Sequence, residues 1–438
     1  MAKTKADAKT LKKALMRTNT HALMTGVMLF QFTSMQLLTF RTEPFDLQAL
    51  VLAIAMPLVT RLTIALFSKL WPIDRATLIM VLFLNSVGIV TLQAIARAAI
   101  TPRTQAIYSL AGIAAMGMGV AFVRWLPRHR KLLPWFALLC FIALLSPFLP
   151  VIGVYKGGAR NWVSLEALHI PISGQPSEFI KPALIIILAH GLADLPALKK
   201  SLVPAIYAAI CCGILLVQKD LGALLLYFIT TVCMFYVATG NLPLTLGALG
   251  AGCVGAVVAY RFIPLIGDRV ALWLNPWSDP TGLGYQLIQS LIAIGSGGLF
   301  GMGLGLGSPR DIPLYHSDFI FGSMTEQFGL MFSLMVMAVY VLIIMRGLSM
   351  AMNARTSFLS LIAFGIVTML GFQTMLIIGG NTQILPLTGV VLPLIAAGGS
   401  SIVSTYLSFG ILLGISSVNA EDELRDLKRM EWREEMEG

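Results

Sequence analysis

A chain of 438 residues that is 57% hydrophobic and only 12% charged, with a mean hydropathy of +0.82, excludes an ordinary soluble protein, which carries about 25% charge. It reads as a polytopic membrane protein. The formal net charge of +10 is spread over short loops between apolar runs, which argues for a topology signal and against a nucleic-acid-binding face.

The first 17 residues carry six Lys/Arg ahead of an apolar run broken by Gln31 and Gln36. No small-residue cleavage site follows, so a retained signal-anchor is expected rather than a removed leader. Twelve apolar spans are predicted, near 20–40, 47–68, 76–98, 104–124, 133–154, 177–193, 201–217, 221–239, 243–262, 319–345, 357–378 and 391–417. Basic residues gather in alternate connections: the N-terminus, 68–75, 124–131, Lys199–Lys200, and Arg346 to Arg355. The positive-inside rule puts these in the cytoplasm, and both termini with them. Six of the seven Trp lie at or just beyond span ends, as an aromatic belt requires. All five Cys fall inside apolar runs; they have neither zinc nor disulfide spacing and read as small buried hydrophobes.

Three segments are thereby left on the outer face: 155–176, the turn at Gln218-Lys219-Asp220, and 263–318. They are also where the unusual residues sit. In the first, Pro176 can open a helix whose first turn holds Glu178. Glu178 and Lys181, three apart, form a local ion pair or face a ligand. Arg160 beside Trp162 suits a phosphate or lipid headgroup, or simple anchoring. Asp220 either caps the next helix or faces the same cavity.

The segment 275–330 organises the rest. NPWSDP is a turn cluster. GYQLIQSLIAI (284–294) is too short to span and reads as an interfacial half-helix, with Leu287, Ile288 and Leu291 on one side and Gln286, Gln289 and Ser290 on another. The run GSGGLFGMGLGLG lacks the spacing and context of a nucleotide loop; close backbone packing and hinge-like freedom explain its glycines better. Asp318 stands where the loop re-enters the membrane, either as a helix cap or as a reactive carboxylate. Glu326 follows eight residues later, about 12 Å along a helix. That is too far for two facing carboxylates, so one is expected to react and the other to support. His316 and Ser317, adjacent to Asp318 in the chain, do not make a serine triad. Near the end, Gly398-Gly399-Ser400-Ser401 break or open a helix at membrane depth, which is tolerated only beside protein or a water-filled cavity.

Taken together, GARNW (158–162), QPSEFIK (175–181), QKDLG (218–222), the 275–305 block, HSDFIFGSMTEQFGL (316–330) and LPLTGVVLPLI with GGSS (385–401) resemble the SEDS family. These are the FtsW/RodA/SpoVE-like glycosyltransferases of bacterial cell-wall synthesis. The resemblance implies an all-α polytopic fold: a core of ten spans (71–418) behind two extra N-terminal spans (20–70), between a cytoplasmic basic N-terminus (1–19) and a charged tail (419–438). It implies polymerisation of lipid II into glycan strands during division or elongation, beside a class B penicillin-binding transpeptidase and other complex proteins. It matches Asp318 to the catalytic aspartate, Glu326 to a supporting catalytic carboxylate and Lys181 to the Lys of QPSExxK. Arg160, Trp162, Gln175, Glu178, Asp220, Gln286, His316 and Ser400 complete the expected substrate contacts. Departures are Gln327 for a second Glu, Lys219 and Ala223 for Pro and Thr, and Ala396-Ala397 for Ser-Tyr.

The chemistry fits these residues. A lipid pyrophosphate leaves as a stable anion, held by cations such as Arg160 and Lys181 or by a divalent metal, Mg or Mn, as a candidate cofactor. The acceptor sugar hydroxyl needs a base, and Asp318 is the expected one. A lipid-intermediate flippase and a non-catalytic scaffold for a transpeptidase are the competing readings.

Overall fold

The computed structural model describes residues 20–41, 45–95, 102–156, 158–166, 173–193, 198–282, 284–308 and 312–437. The expected basic N-terminus (1–19) lies outside the described residues, as do the side chains of Lys156, Lys199 and Lys200. The described helices are α1 His21–Thr39, α2 Leu47–Leu70, α3 Arg75–Ile95, α4 Pro102–Trp125, α5 Leu133–Leu145, α6 Pro176–Leu192, α7 Leu198–Gln218, α8 Leu221–Thr239, α9 Leu242–Phe262, α10 Pro264–Leu274, α11 Tyr285–Gly297, α12 Ile320–Met352, α13 Ser357–Asn381 and α14 Gly399–Glu437.

Ten of the described helical segments are long and apolar enough to cross a membrane. They coincide with ten of the twelve predicted spans. The other two, 177–193 and 201–217, correspond to α6 and α7; the 17 residues of α6 and the apolar stretch Leu202–Gln218 of α7 are shorter. Two spans differ from expectation in length. The span predicted over 133–154 is helical only to Leu145, because Pro147 turns the chain into a 3-10 turn at Ser146–Phe148. The one predicted over 391–417 is helical only from Gly399.

The stretch before α14, 386–398, is non-helical yet largely buried. Its carbonyls are satisfied by side chains from surrounding helices. Gln373 Nε2 donates to Val391 O (2.8 Å), Gln105 Nε2 to Ala396 O (3.2 Å), Arg269 Nη1 to Thr388 O (3.0 Å), and Tyr340 to Pro393 O. Irregular backbone at this depth needs such partners, since lipid offers none. Gly88 lets α3, buried nearly all round, lie directly on Ile395.

Small residues set the closest helix approach. Gly119, Gly410 and Gly414 bring α4 and α14 into backbone contact, the mode favoured where lipid removes the hydrophobic drive between helices. Polar pairs add register: Gln31 on α1 donates to Thr60 of α2 (2.8 Å) and Ser86 of α3 (2.6 Å), and Ser109 of α4 to Asn85 (2.9 Å).

Of the connections assigned to one side by charge, those at 68–75, 124–131 and 346–355 are joined by ion pairs among themselves and to the tail. Arg346 forms a forked pair with Asp74 (2.6 and 2.7 Å), Arg124 reaches Glu421 (2.6 Å), and Arg355 lies near Asp422 and Asp426. The charged tail is helical, a continuation of α14 as far as Glu437.

The first predicted outer segment holds an element that the all-α expectation lacked, a three-stranded antiparallel sheet of β1 Gly153–Lys156, β2 Ala159–Ser164 and β3 Ser173–Gly174. Lys156 pairs with Ala159 and Val154 with Trp162, and Gly158 between them takes φ 81°, a conformation glycine adopts readily in tight hairpins.

Candidate active site

The glycines of 297–305 have a specific structural role. Inside α12, Gly329 takes φ 84° and ψ 170°, a conformation open essentially to glycine alone, and the helix breaks there. The backbone groups freed by the break pair with the glycine-rich loop. Met302 N–H donates to Glu326 O (2.8 Å) and Gly303 N–H to Gln327 O (3.1 Å). In return, Leu330 N–H donates to Gly298 O (2.9 Å) and Met331 N–H to Leu299 O (3.2 Å). A β-carbon at Gly297, Gly301 or Gly329 would collide with the opposing backbone. Close packing, expected from composition, is therefore the reason for the run.

The side chains of α12 extend this clamp. Glu326 Oε1 accepts from Ser308 N–H (2.9 Å), and Gln327 Oε1 from Gly305 N–H (2.6 Å). Both residues are buried. Glu326 thus holds the loop that leads to Asp318. α11 is the expected half-helix, with Leu287 and Ile288 buried. Ser290, expected on its polar side, is instead fully buried against Gly322 of α12. Gln286 is half-buried in the first turn.

Asp318 lies in the turn just ahead of α12 and is half-buried. Its backbone is fixed by Asn381 at the end of α13, whose Nδ2 donates to Asp318 O (2.7 Å) while its Oδ1 accepts from Gly322 N–H (3.3 Å). The Asp318 carboxyl is pushed up to about 6 by burial, and the Arg269 guanidinium nearby pulls it part of the way back. Arg269 feels the charge of Asp220 as well as that of Asp318. His316 accepts from Ala397 N–H (2.9 Å) through its carbonyl and sets its ring edge-on to Tyr315.

Asp220 gathers the other outer segments. Its Oδ2 accepts from Asn161 (3.1 Å), Gln175 (2.8 Å) and Ser177 (3.0 Å), and its Oδ1 from Ala223 N–H (3.3 Å) at the start of α8. Asp220 caps α8, the first of its two readings, and it also ties β2 to the start of α6. Ser400 joins this group by accepting from Gln175 N–H (3.1 Å).

Below it, Lys181 pairs with Glu178 (2.8 Å) and donates to Gln373 Oε1 (3.2 Å). Both charges are buried, 5% and 8% exposed, around a cavity of about 20 Å³ shared with Gln373 and Ser404. That is space for one water. A buried charge needs such a pairing, so the local ion pair is real, and it lies beneath the surface layer of Asp220. Arg160 is an anchor, donating to Pro147 O (3.0 Å) and Phe148 O (3.1 Å) at the end of α5. Trp162 lies half-buried in β2.

Among the described residues, no three His, Cys, Asp or Glu side chains converge as a metal shell. Sequence reasoning missed Arg269, Asn381 and Gln373. Arg269 sits on α10, a helix not anticipated inside 263–318; Pro264 at its first position and the Asp268-Arg269 pair among apolar neighbours were the available signal.

The sequence model for FtsW/RodA/SpoVE cell cycle proteins matches residues 66–421. The chain belongs to this family. Peptidoglycan glycosyltransferase RodA of Mycobacterium tuberculosis is 33% identical over 333 residues, covering 71% of this chain and 69% of that protein. Stage V sporulation protein E of Bacillus subtilis is 33% identical over 330 residues, 72% of this chain and 86% of that protein. Among solved structures, a chain from a peptidoglycan synthase complex that coordinates polymerization and crosslinking superposes with a TM-score of 0.63 at 25% identity, over 79% of this chain and 98% of that one. The RodA crystal structure from Thermus thermophilus shares the fold, with a TM-score of 0.58 at 24% identity over 78% of this chain and 96% of that one.

The family match thus begins late in α2, and α1 with most of α2 precedes it. Gln327, where the resemblance leads one to expect a second Glu, keeps the acceptor oxygen that the Gly305 N–H requires.

Proposed function

We propose that this FtsW/RodA/SpoVE protein polymerises lipid II on the outer face of the cytoplasmic membrane, with Asp318 as the general base. The reaction class follows from the family; the role of each residue is our reading. The observation that carries it is Asp318 itself. It is a half-buried carboxylate that feels the charge of a guanidinium, its backbone gripped by Asn381 and its pKa raised to about 6. A base poised near the working pH accepts a proton efficiently and is still mostly ionised at pH 7.

In this scheme the acceptor sugar hydroxyl gives its proton to Asp318 as its oxygen attacks the anomeric carbon of the donor. The bond from that carbon to the pyrophosphate oxygen breaks, and the lipid pyrophosphate departs. Single displacement inverts the carbon and gives a β linkage. Arg269, whose charge reaches Asp318, suits the developing negative charge on the leaving group. A metal carried in by the pyrophosphate would add to that charge stabilisation without needing a protein-held shell. Glu326 and Gln327 support the loop. The clustering of Arg124, Arg346 and Arg355 at the opposite end favours cytoplasmic termini. By analogy with the synthase complex, a cross-linking transpeptidase is the expected partner.

The test is a gel assay. Purified chain, with and without a candidate transpeptidase, receives labelled lipid II. The parent forms glycan strands, while Asp318→Ala, with lipid II binding retained, loses at least about 100-fold, the lower end of general-base contributions. Strands formed by the variant at the parental rate would remove Asp318 as base.

A further inference from the structure

The hairpin α1–α2 lies almost entirely ahead of the family match at residue 66, yet it touches the site's scaffold at two places. Phe30 of α1 stacks on Phe332 (centroids 5.8 Å) and leans on Phe328 (6.2 Å), and these two rings stack on each other at 4.3 Å. Phe328 directly precedes the α12 break at Gly329 and follows Gln327, which holds Gly305. At the outer end of α1, the Arg41 guanidinium fills the space that a β-carbon on Gly305 would need. One hairpin therefore meets Gly305 itself and Phe328, the chain neighbour of its hydrogen-bond partner Gln327.

The hairpin is itself firmly seated. Asp46 caps α2 through Gln48 N–H and Ala49 N–H and accepts from Gln93 of α3 (2.6 Å). Arg41 donates to Ala94 O (3.3 Å). Gln31 ties α1 to α2 and α3 at mid-depth. Met35, Leu38, Leu52 and Met56 pack with Ile89 and Val90 into a separate apolar cluster, against which Leu304 and Phe328 rest. The hydroxyl, amide and aromatic contacts fix the register of α1 on the core, so Arg41 cannot slide off the loop without breaking them.

We propose that the α1–α2 hairpin is a positioning device for the polymerase: Arg41 and Phe30 hold the glycine loop 298–308 against the α12 break, and through it set how the chain enters Asp318. The inference rests on Asp318 as the base, and Arg41 and Phe30 are positioning residues that touch no substrate. Arg41 is exposed at the end of its helix, so its replacement is tolerated by the fold.

The experiment uses the full chain in nanodiscs, with lipid II turnover and amide hydrogen exchange measured on Arg41→Ala, Arg41→Lys, Phe30→Leu and Asp318→Ala. Arg41→Ala is expected to lower kcat about 10-fold, within the range that small misplacements produce, with the KM for lipid II changed less than 2-fold. The peptide spanning 298–308 exchanges faster, and the peptides of α13 do not change. Arg41→Lys restores part of both, and Phe30→Leu gives a weaker form of the same pattern. Parental kcat in Arg41→Ala and Phe30→Leu, or a lost kcat without faster exchange in 298–308, overturns the proposal. Persisting activity in Asp318→Ala would instead strike the base assignment, and the exchange data would still judge the hairpin.

Discussion

Asp318 and Arg269 show how one residue's surroundings set its chemistry. Burial disfavours the charged carboxylate and raises its pKa to about 6, while Arg269 opposes that rise. As the proposed base, Asp318 works only when ionised. Turnover therefore falls as pH drops through about 6, roughly tenfold per unit below it. Removing the Arg269 charge takes away the opposing influence, raises the carboxyl further, and moves this acid limb to higher pH. Asp318 was legible from its place at the loop's re-entry into the membrane. Arg269 was not, because its role depends on α10 folding back over the 386–398 stretch, where Arg269 binds Thr388 O. No spacing in the sequence encodes that approach.

At the scale of elements, the break at Gly329 and the glycine loop are one unit. The loop supplies the hydrogen bonds the helix gives up, and Glu326 and Gln327 seal it. The resemblance matched Glu326 to a supporting catalytic carboxylate, and its spacing from Asp318 argued that only one of the two reacts. Its observed bond to Ser308 N–H points to loop support. Gln keeps an acceptor for that N–H and Ala does not. Lipid II turnover by Glu326→Gln is thus expected within about 10-fold of the parent and that of Glu326→Ala well below it, because a buried donor left unpaired costs about 1–3 kcal/mol. Equal loss in both variants would show that the carboxylate charge itself is required. The spans were readable from apolar length alone. The exceptions were 146–154 and 391–398, where Pro147, Pro393 and a positive φ at Leu394 end regular structure inside apolar sequence. The sheet at 153–174 was unreadable for a related reason: its strands are short, and two are completed only by pairing across the hairpin.

Across the whole molecule, charge is divided between the two ends. Arg124, Arg346 and Arg355 meet Asp74, Glu421 and Asp422 at one end, and Asp220, Arg269 and Asp318 gather with the loops of the other. The orientation proposed above rests on this division. In a Cys253→Ala background, Trp277→Cys, exposed beside the site, should react with an impermeant maleimide added to intact cells. Met436→Cys, exposed on the tail, should react only after lysis; the reverse pattern would invert the topology and place the proposed chemistry on the wrong side. The most direct test of the account is the pH dependence of kcat/KM for lipid II polymerisation by the parent and by Arg269→Gln, since this ratio reports groups of the unliganded enzyme. The account predicts an acid limb near pH 6 in the parent that moves to higher pH in the variant. A limb that stays in place when the guanidinium is removed, or no limb between pH 5 and 7, would contradict it.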